Sequence, residues 1–257
     1  MRVGDSYDPQ AAVDRGVALA RAAYARLDEH GADGLGAVRT RITNREGSFF
    51  NRVTKRVIIG VGGEDATGPH GRLSTLENTI HEVSHKWFDA RAGFLGLVSA
   101  GQSGALSEGI AQVMAGAALV LAGDTEEQAW GWKVLDPHGQ TAIIQRPFGP
   151  SVRVPLSTTM ADVRRVGFTL VDAGYIHVHA GVVQAAHYDM ARALGVETMA
   201  RITTEAARAS MTPFTGFRGW ADATIETATR LYGNGSAAAT AVLQAWQAAE
   251  VLGAGGE

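Results

Sequence analysis

Ser74 to Ala92 reads STLENTIHEVSHKWFDARA. Ser74 followed three residues later by Glu77 is a capping-box pattern, which predicts a helix starting there and running to about Ala92. Inside it lies His81-Glu82-Val83-Ser84-His85. Four residues along an α-helix amount to a rotation of about 40° and a rise of about 6 Å. His81 and His85 therefore share a face, and their imidazoles can close on one metal ion. Glu82 then lies beside the metal's open position, where a carboxylate can take a proton from bound water. The plainer alternative is a solvated helix with two surface histidines.

A zinc site needs more ligands than two. The 257 residues include no cysteine, so a third ligand must be His, Asp or Glu. The same absence excludes disulfide scaffolds, zinc ribbons, CxxC redox sites and thiol nucleophiles. Glu108 lies in Ser103-Gly104-Ala105-Leu106-Ser107-Glu108-Gly109, near the start of a second apolar helix expected from about Ala105 to Leu121. A carboxylate there can reach a neighbouring antiparallel helix, and three protein ligands with one open position make a catalytic site rather than a structural one. Taken alone, Glu108 reads better as a favourable charge in a first helical turn.

Outward from this pair of helices, residues 9 to about 30 carry Val13, Val17, Ala20, Tyr24 and Leu27 at helical spacing and end at His30-Gly31. Residues 36 to 61, with Ile42, Phe49, Phe50, Val57, Ile58 and Ile59, predict two or three short strands. Gly60 to Gly71 reads as a loop and 124 to 157 as irregular. A short helix is expected from Thr159, then helices over about 178–194, 197–209, 216–231 and 236–250. The charge balance, 23 basic against 26 acidic residues, gives −3 and points to neither nucleic acid nor a membrane surface. The polar start Met1 to Asp8 does not resemble a secretory signal, and the longest apolar run, Val113 to Gly123, is short of a bilayer span. The expectation is a cytoplasmic chain.

A further motif, Asp172-Ala173-Gly174-Tyr175-Ile176-His177-Val178-His179-Ala180-Gly181, completes a pattern. HEVSH, then Ala92-Gly93-Phe94, then Ser103 to Glu108, then this motif, together resemble the thermolysin-like zinc metallopeptidases, whose corresponding motif runs D-x-G-G-V-H-x-N-S-G. The segment from Met211-Thr212-Pro213 through Leu231-Tyr232-Gly233 to Ala245 is similar to the family's last two helices. The resemblance implies that His81, His85 and Glu108 bind Zn2+ and that Glu82 is the general base. It implies that His177 donates a hydrogen bond to the oxyanion and that Asp172 holds His177. His179 stands where the family has Asn, and His187 where it has an aromatic residue.

The chain also departs from that pattern. No Tyr lies between Gly93 and Glu108 to supply the family's second oxyanion donor, and Tyr175, which replaces a Gly, is the nearest substitute. Gln112 replaces an Asp that orients the first His, which implies weaker zinc binding. Leu119 and Lys133 stand at calcium-ligand positions and Glu77 alone matches one, so no structural calcium is expected. Asn78 replaces an apolar residue of the primed-side specificity pocket. Arg146 is the best match to a substrate-clamping Arg, one residue out of register, and Asn51 matches an edge-strand Asn that holds substrate backbone.

The expected fold is α+β and thermolysin-like, with a truncated N-terminal β region, a central HExxH helix and a mostly α-helical C-terminal lobe. The division expected is 1–100 (helix, short sheet, HExxH helix) and 101–257, with the active site in the cleft between them. The expected function is zinc-dependent peptide-bond hydrolysis by an intracellular peptidase of narrow specificity, acting on a peptide such as a pathway precursor. The alternatives are a zinc enzyme of this fold acting on a non-peptide biosynthetic intermediate, and a non-catalytic binding protein that keeps the fold.

Overall fold

Val57 and Ile59 are fully buried while Arg56 is exposed and Ile58 half-buried, the period-two pattern of a strand with one covered face. The computed structural model describes residues 7–27, 35–63, 67, 70–93, 96–144, 150–166 and 171–253. In it this strand, β3 (Arg56–Gly60), is the centre of a three-stranded sheet, parallel to β1 (Arg39–Thr43) and antiparallel to β2 (Phe49–Asn51). Before the sheet comes α1 (Pro9–Leu27). After it come α2 (Gly71–Arg91), α3 (Gly101–Leu121), α4 (Thr125–Leu135), the hairpin β4 (Thr141–Ile144) and β5 (Val152–Pro155), and α5 (Met160–Val166). Four helices finish the chain: α6 (Asp172–Leu194), α7 (Val196–Ser210), α8 (Phe217–Tyr232) and α9 (Ala237–Ala248). The chain is α+β, as its sequence pattern predicts, and it divides into two compact units.

The first unit comprises Met1–Trp87 and Met114–Lys133. In it α1 lays a stripe of small and apolar residues, Val13, Gly16, Ala20, Ala23, Tyr24 and Leu27, against the interior. Gly16 is required there, since a Cβ would stand 2.8 Å from that of Thr79 on α2. Tyr24 stacks on Trp87, ring centroids 4.7 Å apart and 13° from parallel. The carboxylate of Glu127, nearly buried, takes Arg15 at 3.0 Å and Arg72 at 3.3 Å.

Three sequence expectations change in this unit and at its borders. The α2 helix begins at Gly71, so Ser74 is already inside it and no capping box forms; Glu77 instead accepts the indole N–H of Trp130 at 2.8 Å. Residues 124 to 157 hold α4 and a hairpin. Asp124 caps α4, its Oδ1 accepting the N–H groups of Glu126 and Glu127 at 3.0 Å each, and the Asp-Thr-Glu-Glu string was the available signal. The helix expected from Ala105 begins one turn earlier, at Gly101, so Glu108 sits two turns in and not in the first turn. At 21 residues α3 is long and apolar enough by length and composition to cross a membrane, but 78% of its apolar window is buried within the protein. The expected stop of α1 at His30-Gly31 lies outside the described residues.

The second unit comprises Phe88–Val113 and Val134–Glu257. Its four last helices close on one another, α6 against α7 and α9, and α8 against α7 and α9. His187 lies at their centre, fully buried, stacked on Trp220 and edge-on to Trp246. Its Nδ1 donates to the Val183 carbonyl at 2.8 Å, and its Nε2 has no partner. Burial lowers its pKa from 6.5 to about 4, against the opposing pull of the Val183 hydrogen bond.

Below pH 6.5 the unfolded chain binds a proton at this imidazole that the folded chain refuses. Stability is therefore expected to fall by about 3 kcal/mol as pH drops from 6.5 to about 4, and to level off below. His187→Phe should remove most of this slope while keeping the ring contacts. Urea melts of the two proteins between pH 7.5 and 4 check this, and parallel slopes would refute it.

Candidate active site

Asn78, His81, Glu82 and His85 are spaced for one face of α2, and the opposite face is core: Ile80, Val83, Ser84 and Trp87 are buried. The stripe sits in the middle of a 21-residue helix, so its backbone is held by complete hydrogen bonding. His81 Nε2 and His85 Nε2 stand 2.9 Å apart, with the rings nearly perpendicular. Glu82 is 6% exposed.

Glu108 is positioned by glycines. On α3 a Cβ at Gly104 would meet Ile176 Cγ2 at 2.7 Å, and one at Gly109 would meet Val183 Cβ at 2.6 Å and the Ala180 carbonyl oxygen at 2.8 Å. Only Gly lets α3 and α6 come this close. The approach brings Glu108 Oε2 to 3.6 Å from His177 Nε2. Gln112 lies one turn beyond Glu108 and is half-buried.

His177 is aimed by an unusual start to α6. Asp172, Ala173, Gly174 and Tyr175 all have positive φ, at 53°, 48°, 98° and 60°. Right-handed helix therefore begins after Tyr175, earlier than the expected Val178 and behind a left-handed turn. Each non-glycine residue in that region costs about 1–2 kcal/mol. The turn folds Asp172 back on the helix: Oδ2 accepts the His177 backbone N–H at 3.1 Å and Oδ1 bonds Nδ1 at 2.6 Å. With Nδ1–H given to a carboxylate, Nε2 faces Glu108.

One ligand atom each from His81, His85 and Glu108 lies within 4.8 Å of the others. Two imidazoles and a carboxylate are a zinc donor set. Bonds of 2.0–2.1 Å to a tetrahedral ion put ligand atoms about 3.4 Å apart, a value bracketed by the separations present. The residues fit the ion.

The other sequence-derived positions fall as follows. Asn78 is half-buried, one turn before His81. Asn51 ends β2 and its Oδ1 caps the next turn, accepting Val53 and Thr54 N–H at 3.1 and 2.8 Å. Tyr175 is half-buried, its ring edge-on to His179 at 6.1 Å, and His179 bonds Ser157 Oγ. Arg146 lies outside the described residues. Asp89, one turn after His85, was missed. It is 5% exposed and its Oδ1 accepts the Leu97 N–H at 3.3 Å, while Gly96 passes so close that a Cβ would touch the carboxylate. A carboxylate four residues beyond His85 on a helix was the signal for it.

Residues 96–251 match the family model described as the thermolysin metallopeptidase, alpha-helical domain. The chain belongs to the thermolysin metallopeptidase family. Among solved structures it is similar to the precursor of protealysin, a metalloproteinase from Serratia proteamaculans, with a TM-score of 0.71 and 17% identity, covering 96% of this chain and 81% of that one. That likeness shows the fold. A search of curated protein sequences found no match.

The strained turn yields a stability prediction. Ala173 is exposed, so Ala173→Gly removes strain without removing a contact. It is expected to stabilise by about 0.5–1 kcal/mol after the entropy of glycine is subtracted. Asp172→Ala should cost about 1–2 kcal/mol through the lost bonds to His177. Thermal melts of both variants check the opposite signs.

Proposed function

We propose that this chain is a zinc-dependent peptidase in which His81, His85 and Glu108 hold the metal. The observation that carries the reading is the convergence of these three ligand atoms within 4.8 Å, with buried Glu82 next to the first of them. When bound, zinc would lower the pKa of a water and polarise the scissile carbonyl. Glu82 takes the proton from the attacking water and passes it to the leaving amine. His177, as the imidazolium, keeps its Nδ1–H on Asp172 and donates from Nε2–H to the oxyanion of the tetrahedral intermediate. Asp172 is a positioning residue, since its bond to Nδ1 sets the aim of that ring.

Narrow specificity is part of the proposal. A half-buried amide at Asn78 disfavours large apolar side chains next to it and favours those that hydrogen-bond. Asn78→Leu is expected to raise kcat/KM for substrates with a large apolar residue after the scissile bond by about 10- to 100-fold relative to polar ones. Profiling with a peptide library reads the change, and an unaltered profile removes Asn78 from the specificity site.

The central test is cleavage of that library together with zinc analysis. Wild-type protein is expected to carry one zinc per chain and to cleave a restricted set. Glu82→Gln should keep the metal and lose hydrolysis by at least about 1000-fold. His81→Ala should lose the metal. Zinc content indifferent to His81, or hydrolysis indifferent to Glu82, overturns the reading. A stoichiometric zinc protein that cleaves no peptide turns it to the non-peptide alternative.

A further inference from the structure

The outer face of the three-stranded sheet is cationic. The register sets Arg39 and Asn51 on either side of Arg56, and Arg41 and Phe49 on either side of Ile58. Partners across a ladder point to the same face. The other face carries buried Val57 and Ile59. Arg39, Arg41 and Arg56 are exposed, as are Arg45 and Lys55 in the adjoining turns.

Residues 38–58 contain Arg39, Arg41, Arg45, Arg52, Lys55 and Arg56 but only one acid, Glu46, in a chain of net charge −3. Among the described residues Arg39, Arg41, Arg45 and Arg56 make no ion pair. Like charges directly opposite each other destabilise a ladder, and Arg39 opposite Arg56 is such a pair. Lys86 reports the same field: burial first, then Arg21, Arg39 and Lys55, weaken its hold on a proton, although it donates to the carbonyls of Leu35 and Ala37.

The surface also has shape and an open edge. A depression of about 860 Å³ lies over it, lined in part by Arg41, Asn44, Arg45, Glu46, Phe49 and Ile58, with Phe49 50% exposed. Among the described residues the sheet order leaves β1 at an edge, with β3 its single neighbour. An edge strand offers backbone N–H and C=O groups to an added strand, which selects a polypeptide partner. Same-side residues of an extended peptide recur every 6.6–7 Å or so, the spacing of Arg39 and Arg41 along β1.

We propose that this face docks an extended acidic peptide segment along β1, with carboxylates at alternate positions on the arginines. Resting on the peptidase reading, the proposal extends to substrate class: the segment belongs to the cleaved peptide, outside the scissile bond, so acidic peptides are preferred.

The test uses the full chain as Glu82→Gln. A fluorescein-labelled peptide with Glu at alternate positions is compared by anisotropy with its Gln counterpart. The Glu peptide is expected to bind at least ~10-fold more tightly, with the advantage shrinking as salt is raised. The advantage should vanish in R39Q/R41Q/R56Q and fall about 3-fold in Arg56→Gln alone, which covers a failure of the triple variant to fold. Equal binding of the two peptides, an advantage that survives these substitutions, or tighter binding of a single-stranded oligonucleotide or a phosphatidylserine vesicle overturns the docking assignment. For the substrate step, wild-type kcat/KM is compared for peptides sharing one cleavage site and differing only in a Glu or Gln tail. A ratio near 10 supports it. A ratio near 1 with docking intact overturns the substrate step alone. Docking without cleavage of any peptide overturns the peptidase reading and leaves the docking surface standing.

Discussion

The close approach of α3 and α6 is the constraint on which the site depends. At Gly104 and Gly109 there is no room for a side chain, because Ile176, Val183 and the Ala180 carbonyl fill the space. A β-carbon at either position forces its neighbours to shift. The 3.6 Å separation of Glu108 and His177 is a consequence of that contact. Two side chains from distant parts of the sequence are thus set by the absence of two others.

The start of α6 shows a second trade. Four successive residues with positive φ, three of them not glycine, are unfavourable on their own. The turn persists because it delivers Asp172 to both the backbone N–H and the ring of His177. Local strain is exchanged for a fixed imidazole, a pattern that belongs to functional sites. His187 is a different case of polarity held in the core: wedged between Trp220 and Trp246, it is kept neutral by burial.

Much of the architecture was legible because it rests on periodicity. The helical repeats gave α1 and the four last helices, and the β-branched and aromatic residues between Ile42 and Ile59 gave the strands. Local signals failed where a tertiary partner outbid them. The Ser74–Glu77 pair has the form of a cap, but Trp130 takes the Glu77 carboxylate and the helix begins at Gly71. The start of α3 at Gly101 and the hairpin after α4 were hidden by glycines and prolines, which read as loop. Asp89 was overlooked because a lone acid after a motif is common, and its role shows only once Gly96 and Leu97 fold onto it.

The sequence by itself determined the donor set. Spacing of four on a helix puts His81 and His85 on one face, and a chain without cysteine must complete a zinc site with His, Asp or Glu. Family membership follows from the same residues in their order, supported by the match over 96–251. Tertiary structure alone decided how His177 is aimed, and that Arg39, Arg41 and Arg56 of two short strands collect on one face. The reason is physical: periodicity is written in neighbours along the chain, whereas convergence of side chains depends on how closely helices pack and on which cross-strand register a sheet adopts.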